Sequence, residues 1–168
     1  MNVIRFLILM SFFSSLLFGD LLKPYNNQII SYTHILFEWE QQPNATEYQI
    51  QLSDSNSFED NPNLLLNIQT PKLIYIYKND INWNDTYFWR VRDMYEDGSY
   101  GSWTLPFSFT ISEKKYEVNS GYLSIDLIDE SLVDDQLILL GDLSGGLFLT
   151  SFIFDKNGKE IWNVDIMV

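Results

Sequence analysis

The residue types that most often carry catalysis or metal binding are scarce in this chain. It contains one histidine, His34, and no cysteine. Because His34 stands alone, beside Thr33 at the start of a predicted strand, we expect neither a Ser-His-Asp arrangement nor a two-histidine metal site within one chain. The absence of cysteine excludes disulfides, thiolate zinc sites and a cysteine nucleophile. We interpret His34 as a structural or surface residue.

Carboxylates are more numerous, and two adjacent pairs attract attention. Asp129 with Glu130 and Asp134 with Asp135 offer acid and base groups, but glycoside hydrolysis needs two carboxylates on opposite sides of a cleft. Both pairs lie in a polar connector, which favours a solvated loop. The run 155–160 echoes half of a calcium loop, yet two lysines stand among its would-be ligands, which favours a hairpin turn. The sequence therefore implies no catalytic residue, no metal site and no cofactor.

Aromatic rings near loops are the remaining candidates for binding a ligand. Sugar-binding surfaces of secreted β-sandwiches present tryptophan or tyrosine rings to pyranose faces. Trp83, Tyr95, Tyr100 and Trp103 lie in or near predicted loops, and Trp83 is the best placed of them. The alternative is that these rings cover the ends of the domain. We predict Trp83, Tyr95 and Tyr100 as candidate ligand-binding residues.

The net charge of the chain indicates which classes of partner it can bind. Lysine and arginine number 10 against 23 aspartate and glutamate residues, a formal net charge of −13. Such a chain repels nucleic acid phosphates and anionic lipid headgroups, so neither is expected as a partner. Solubility is the simplest role of the acidity, and a few divalent-cation sites are the alternative. With 46% hydrophobic and 16% aromatic residues, the 168-residue chain can bury a core.

The element predicted to position most of these side chains runs over residues 85–95. Its side chains are apolar on one side and include two arginines on the other, as in a strand with one buried and one wet face. The guanidinium groups of Arg90 and Arg92 can stay in water while their methylene stems cover apolar surface. We therefore predict a central strand of a β-sandwich whose inward residues are Tyr87, Trp89 and Val91.

Segments on both sides of this strand complete a sandwich. Residues 81–87 set an apolar residue, a polar turn and a tyrosine, which is the pattern of a tyrosine corner. Trp39 is the predicted core anchor of the second strand, and Tyr48 points inward from the third. The predicted fold is all-β, with seven short strands: an edge strand near 23–27, then 34–40, 48–52, 64–68, 73–77, 85–95 and 107–111.

Four motifs follow one another along this part of the chain: Thr86-Tyr87-x-Trp89-Arg90-Val91-Arg92, the acidic-glycine turn Glu96-Asp97-Gly98-Ser99, Gly101-Ser102-Trp103-Thr104 and Phe107-x-Phe109. Together they resemble the last two strands of a fibronectin type III domain of the kind common in secreted bacterial proteins. The resemblance covers about residues 20–112 and implies a spacing or adhesion scaffold rather than an activity.

Trp103 has a second resemblance. It follows the turn after Arg90 and Arg92 and shares their outer face, so we predict that its indole stacks between the two guanidinium groups, worth about 0.5–2 kcal/mol. This resembles the arginine and tryptophan ladder of cytokine-receptor fibronectin modules. The residues with predicted structural roles are Trp39, Tyr48, Tyr87, Trp89, Arg90, Arg92 and Trp103.

Residues 1–19 have the character of a secretory signal peptide. Arg5 precedes an apolar run that ends at Gly19, before the first acid, Asp20. The run is short for a membrane span, which needs about 20 apolar residues. We predict export and cleavage after Gly19. If the segment is retained, it becomes an N-terminal anchor.

The pattern changes after residue 112, where we place a domain boundary. Residues 113–168 are β-rich, with strands predicted at 122–128 and 137–140 and a hairpin of 147–155 with 159–168 around Asn157-Gly158. That turn predicts three opposed pairs and one nearly apolar face: Ile153 with Trp162, Ser151 with Val164 and Leu149 with Ile166. The run Asp155 to Asn163 also resembles the opening blade strands of arylsulfotransferase-like β-propellers, which implies that this segment begins a second domain.

Three functions remain open at the level of sequence. The first is a secreted or cell-surface, non-catalytic module for adhesion, spacing or binding a protein partner. The second is an accessory module that binds carbohydrate through exposed rings. The third is the N-terminal part of a sulfotransferase-like propeller enzyme, although the histidine and arginine that such an enzyme needs cannot be assigned to any residue present.

Overall fold

A computed structural model describes residues 20–59, 64–114, 137–142 and 148–167. Within these ranges the chain is all-β, as predicted, with eleven strands and no helix. The described residues accordingly include no helix long and apolar enough to cross a membrane. The predicted signal segment, the strand expected at 122–128 and the carboxylate pairs at 129–135 lie outside the described ranges.

Eight strands form a sandwich of two sheets, and three form a smaller sheet near the C-terminal end. The three-stranded sheet of the sandwich has the order β1-β3-β6, the five-stranded sheet the order β2-β8-β7-β4-β5, and the separate sheet the order β11-β10-β9. The strands are β1 Leu21–Lys23, β2 Gln28–Ile30, β3 Ile35–Trp39, β4 Ala45–Ser53, β5 Leu66–Thr70, β6 Ile74–Tyr77, β7 Thr86–Tyr95, β8 Phe107–Ile111, β9 Ile138–Asp142, β10 Phe148–Phe154 and β11 Glu160–Met167.

The core lies between the two sheets of the sandwich. Its members come from alternate positions of β3, β4 and β7, since side chains of a strand point to opposite faces in turn. Phe37 contacts Trp89 with ring centroids 5.0 Å apart, and the rings of Trp39 and Tyr48 are 5.8 Å apart. The five side chains predicted to share this interior, Trp39, Tyr48, Tyr87, Trp89 and Val91, are all buried.

The N-terminal strand differs from the prediction, because it is divided between the two sheets. Leu21 pairs with Trp39 of β3, whereas Gln28 pairs in parallel with Phe109 of β8. Pro24 lies between the two halves and has no N–H to donate to a ladder, so the strand ends at Lys23 and resumes on the other sheet. The sandwich therefore has eight strands rather than seven.

The C-terminal hairpin has the predicted register. Ile153 lies opposite Trp162, Ser151 opposite Val164 and Leu149 opposite Ile166. The deeply buried face is nevertheless the other one, which carries Phe152, Phe154 and Ile161, while Ile153 and Trp162 are half-buried. The face predicted to be nearly apolar is therefore the less buried one, and the covered face includes the polar residues Glu160 and Asn163.

The turn of this hairpin also differs from the two-residue turn expected. The Gly158 N–H donates to the Asp155 carbonyl, and Gly158 has a φ of 77°. The Asp155 carboxylate accepts from the backbone N–H groups of Asn157 and Lys159, each at 2.9 Å. These contacts define a three-residue loop, residues 156–158, with Gly158 in the left-handed position. The Asp155 side chain stabilises the loop, and Asn157 does not adopt a positive φ.

The small sheet joins the sandwich through backbone pairing at residues 31–33. Tyr32 forms an antiparallel bridge with Trp162 of β11. On either side of it, the Thr33 N–H donates to the Ile161 carbonyl at 2.9 Å and the Asn163 N–H to the Ser31 carbonyl at 3.2 Å. We call this pairing the joint. The domain boundary placed after residue 112 stays a prediction.

Candidate functional site

The outer face of the five-stranded sheet carries a continuous stack of arginine and aromatic side chains. The Arg90 guanidinium lies 4.3 Å from the ring centroids of both Phe58 and Trp103. The Arg92 guanidinium lies 4.5 Å from the Trp103 ring and 3.9 Å from the Tyr100 ring. Trp103 is therefore held between two cations, and the order is Phe58, Arg90, Trp103, Arg92, Tyr100. We call these five residues the arginine–aromatic stack.

Backbone contacts after β7 place Trp103 in this position. The Thr104 N–H donates to the Val91 carbonyl at 2.9 Å, and the Val91 N–H donates to the Thr104 hydroxyl at 3.1 Å. The Gly101 N–H donates to the Asp93 carbonyl. A Cβ on Gly101 would lie 3.2 Å from the Asp93 carboxylate, so glycine permits this close approach. The segment 101–104 is thereby fixed alongside β7 with its tryptophan between the arginines.

A row of amide side chains lies beside the stack on the same face. Arg90 Nε donates to Gln51 Oε1 at 2.9 Å, and Arg92 Nε donates to Gln49 Oε1 at 2.8 Å. Gln49 Nε2 in turn donates to Asn67 Oδ1 at 2.7 Å. Because β4 lies between β5 and β7, these bonds connect side chains across three neighbouring strands. The result is a flat polar surface whose side chains hold one another in place.

The two arginines differ in their electrostatic surroundings. Arg90 is 9% exposed and lies 3.3 Å from a carboxylate oxygen of Glu59. For Arg92, no carboxylate in the described part of the chain lies within ion-pair distance. Burial lowers the pKa of Arg92, Tyr100 raises it and the neighbouring Arg90 lowers it. Because a guanidinium group is a very weak acid, Arg92 stays a cation despite this lowering, with hydrogen-bond donors available beside the exposed ring of Tyr100.

The structure separates the three candidate ligand-binding rings. Trp83 precedes β7 and Tyr100 follows it, so they lie at opposite ends of a strand about 30 Å long. Trp83 is half-buried and packs against the core. Tyr95 is half-buried and hydrogen-bonds the Asp93 carboxylate. Burial raises the pKa of Asp93, and the weaker effect of the Tyr95 hydrogen bond lowers it. Tyr100 is 45% exposed and accepts a hydrogen bond from Gln69 at 3.1 Å.

The remaining sequence candidates have structural surroundings. The Tyr87 hydroxyl accepts a hydrogen bond from the Asn82 backbone N–H at 2.9 Å, which is the geometry of a tyrosine corner. His34 is half-buried, and burial followed by the charge of Lys78 lowers its pKa. In the described ranges no group of three or more histidine, cysteine, aspartate or glutamate side chains is arranged to hold a metal ion.

Two parts of the site were not predicted. Phe58 lies between the strands predicted at 48–52 and 64–68 and was assigned no role, yet it is 5% exposed and lies against Arg90. The amides of Gln49 and Gln51 were not assigned a role, although their alternation with the inward residues of β4 placed them on the outer face. That alternation could have predicted the position of the amides. The position of Phe58 could have been suspected because it is a single aromatic residue among polar ones between two predicted strands.

Comparison with known proteins adds a likeness of fold. No protein-family model and no curated protein matches the chain. A solved structure described as a Fn3-like protein from Clostridium thermocellum shares 12% identity, with a TM-score of 0.40 over 54% of this chain and 92% of that one. An alpha-L-rhamnosidase from Dictyoglumus thermophilum shares 11% identity, with a TM-score of 0.44 over 77% of this chain and 15% of that one. At these values neither match carries an argument about function.

The class of fold follows from the strands themselves. A three-stranded sheet packed on a longer sheet, with a tyrosine corner before β7, is the arrangement of a fibronectin type III-like sandwich. The chain is therefore an all-β protein with a fibronectin type III-like sandwich followed by a smaller β-sheet. The resemblance of its C-terminal part to a propeller blade stays a prediction.

Proposed function

We propose that this chain is an exported, non-catalytic module that binds a protein partner through the outer face of its five-stranded sheet. The observation that supports this most directly is the arginine–aromatic stack. Arginine, tyrosine and tryptophan are the residue types that dominate binding energy at protein interfaces. Their mutual stacking orders these side chains before a partner arrives, which reduces the entropy cost of association.

The charges of the stack indicate the chemistry of the partner. Arg90 already faces Glu59, whereas Arg92 offers donors beside the exposed face of Tyr100. A carboxylate of the partner can pair with Arg92 while an apolar group covers the Tyr100 ring. The amides of Gln49 and Asn67 supply further polar contacts at the rim. We therefore expect an acidic, partly apolar surface on the partner.

Site-specific photo-crosslinking tests this proposal. A photoreactive residue replaces Ser102, which is exposed next to Trp103, and the full chain is irradiated with the cell-surface fraction of the source cells. The matched control carries the same group at Ile76, which is 53% exposed on the opposite sheet. We expect one discrete adduct from position 102 and its loss when Arg92→Met is added. Equal adducts from both positions, or an adduct that survives Arg92→Met, would contradict the proposal.

Carbohydrate binding is the second candidate, and the surroundings of Tyr100 favour it. One face of the ring lies on Arg92, while 45% of the residue is exposed, and Gln69 donates to its hydroxyl. An exposed ring flanked by amides suits a sugar ring with several hydroxyl groups. A glycan array distinguishes this candidate: binding lost in Tyr100→Ala and kept in Trp83→Ala supports a sugar site at the stack. Binding lost only in Trp83→Ala supports the site first predicted from sequence.

Export and the propeller resemblance are proposals as well. Cleavage of the signal segment predicts that N-terminal sequencing of the secreted protein begins at Asp20. The antiparallel sheet β9–β11 is compatible with part of a propeller blade, which has four strands. A reading frame that continues beyond Val168 with further Asp-x-x-Gly-x-x-x-Trp-like repeats would support the enzyme alternative.

A further inference from the structure

A β-bulge in β11 turns an acidic side chain toward the covered face of the small sheet. Ile153 pairs with Trp162 but Phe154 pairs with Glu160, so Ile161 is an extra residue on its strand. A bulge re-aims the side chains next to it. Glu160, Ile161 and Asn163 are consequently all buried, at 3%, 4% and 0% exposure. A carboxyl group is thereby held out of water at the start of the strand that forms the joint.

Glu160 and Asn163 are joined by one hydrogen bond and leave one oxygen each without a partner. Asn163 Nδ2 donates to Glu160 Oε1 at 2.7 Å. Glu160 Oε2 and Asn163 Oδ1 are both buried and unpaired. As long as Glu160 is ionised, both of these atoms are acceptors, and neither can satisfy the other. A buried carboxylate in this condition is costly, because it has lost its hydration without gaining donors.

We propose that Glu160 is carried as the neutral acid and forms a cyclic carboxylic acid–amide pair with Asn163, which locks the small sheet to the sandwich. A proton on Oε2 converts that atom into a donor to Asn163 Oδ1, so both unpaired atoms are satisfied at once. Ionisation of Glu160 removes this second bond and loosens the joint. The pair is positioned to act there, because the Asn163 N–H itself donates across the joint to Ser31.

Among the described residues, Lys114 is the charged group that acts on Glu160. Burial raises the pKa of Glu160, while the Asn163 hydrogen bond and then the Lys114 charge lower it. His34 follows Thr33 of the joint, and Lys78, Asp155 and Lys159 act on His34 rather than on Glu160. Because the folded pKa of Glu160 is raised, its contribution to the joint is complete below the unfolded pKa and is lost as pH rises through the folded pKa.

Hydrogen exchange of the full chain tests the proposal. The amides of Thr33 and Asn163 bridge the joint, and the Gln51 amide inside the five-stranded sheet serves as the internal control. After correction for intrinsic exchange, we expect the protection of the two joint amides to fall between pH about 4 and about 8. The expected fall is about tenfold for each unit by which the folded pKa of Glu160 exceeds its unfolded pKa. The Gln51 amide should not change. Equal protection of the joint amides at both pH values would overturn the proposal.

Two variants separate this mechanism from a purely structural role of the two side chains. Glu160→Gln keeps the shape and replaces the acid by an amide that can form the same two bonds, so its joint should stay protected at both pH values. Lys114→Met removes a charge that favours the ionised form, so the loss of protection should move to higher pH. A pH dependence that persists in Glu160→Gln, or a midpoint that Lys114→Met leaves unchanged, would refute the pair.

Discussion

Arg90 shows how a charged residue can be part of a packed surface. At 9% exposure it is the most buried cation among the described residues, and burial of a charge is tolerated only with compensating partners. Its partners are the Gln51 amide, the Glu59 carboxylate and the faces of two rings. Arg90 therefore connects β7 to β4 and to the loops that carry Phe58, Glu59 and Trp103.

Trp103 is the residue whose removal tests the arginine–aromatic stack. Trp103→Ala deletes the ring between the two guanidinium groups and leaves both with fewer contacts. We expect a loss of about 1–3 kcal/mol, seen as a melting temperature lower by several degrees. Trp103→Phe, which keeps a ring face, should recover part of the loss. A melting curve that is unchanged in Trp103→Ala would show that the stack does not stabilise the fold.

The Tyr87 hydroxyl is a second position at which one atom can be tested. Tyr87→Phe keeps the ring in the core but leaves the Asn82 N–H without its acceptor. We expect a loss of about 1 kcal/mol in urea unfolding. Tyr25→Phe, at a side chain that is 60% exposed, is the matched control and should have no effect. Equal results for both variants would remove the tyrosine corner from the account of stability.

At the scale of elements, the joint and the hairpin depend on irregularities in the strands. The bulge at Ile161 buries Glu160, and the loop glycine allows the chain to return from β10 to β11. Bulges and left-handed positions change where side chains point without changing the residue types along the strand. These local features decide which face of the hairpin is covered.

The hairpin loop gives a test that distinguishes the observed turn from the expected one. Only Gly158 of the pair Asn157-Gly158 has positive φ. Gly158→Ala should therefore destabilise the hairpin by about 1 kcal/mol, whereas Asn157→Ala should be nearly neutral. Protection of the hairpin amides in hydrogen exchange measures both. Equal destabilisation by the two variants would indicate the two-residue turn with positive φ at both positions.

At the scale of the whole molecule, the free energy of unfolding depends on pH through groups whose pKa values are shifted in opposite directions. Burial raises the pKa of Asp93 and Glu160, so the stability they contribute is present below their unfolded pKa values and is lost as pH rises through the folded ones. Burial and Lys78 lower the pKa of His34, so its contribution is present above the unfolded pKa and is lost as pH falls through the folded one. The two acids therefore favour low pH and His34 favours pH above its unfolded pKa, so the two effects oppose each other.

Asp93 provides the corresponding prediction. Asp93→Asn removes one of the groups with raised pKa, so the decline of stability as pH rises from about 4, the unfolded pKa of aspartate, should become shallower. Urea unfolding at a series of pH values measures this. Asp97→Asn is the control of opposite sign, because hydrogen bonds from Ser99 lower the pKa of Asp97. A steeper decline in Asp93→Asn would contradict the assignment.

Much of the sandwich could be predicted because strand alternation is a local property. Residue types two positions apart were enough to identify the inward side chains of β7 and the outer position of its arginines. The hairpin pairs of β10 with β11 agree with those expected from a two-residue turn, because the bulge at Ile161 offsets the extra residue of the loop. The tyrosine corner at Tyr87 was likewise predicted from the apolar residue and the polar turn that precede it. In each of these cases the deciding interactions lie within a strand or between neighbours joined by a short turn.

The sequence by itself determined the all-β class and the core positions of the sandwich. Only the tertiary structure decided that Phe58 and Tyr100 complete the stack, that Trp83 packs against the core, and that Glu160 is buried beside Asn163. The physical reason is that these contacts depend on the paths of loops and on a bulge. Such features bring together residues that are distant in the chain and leave no periodic trace in it.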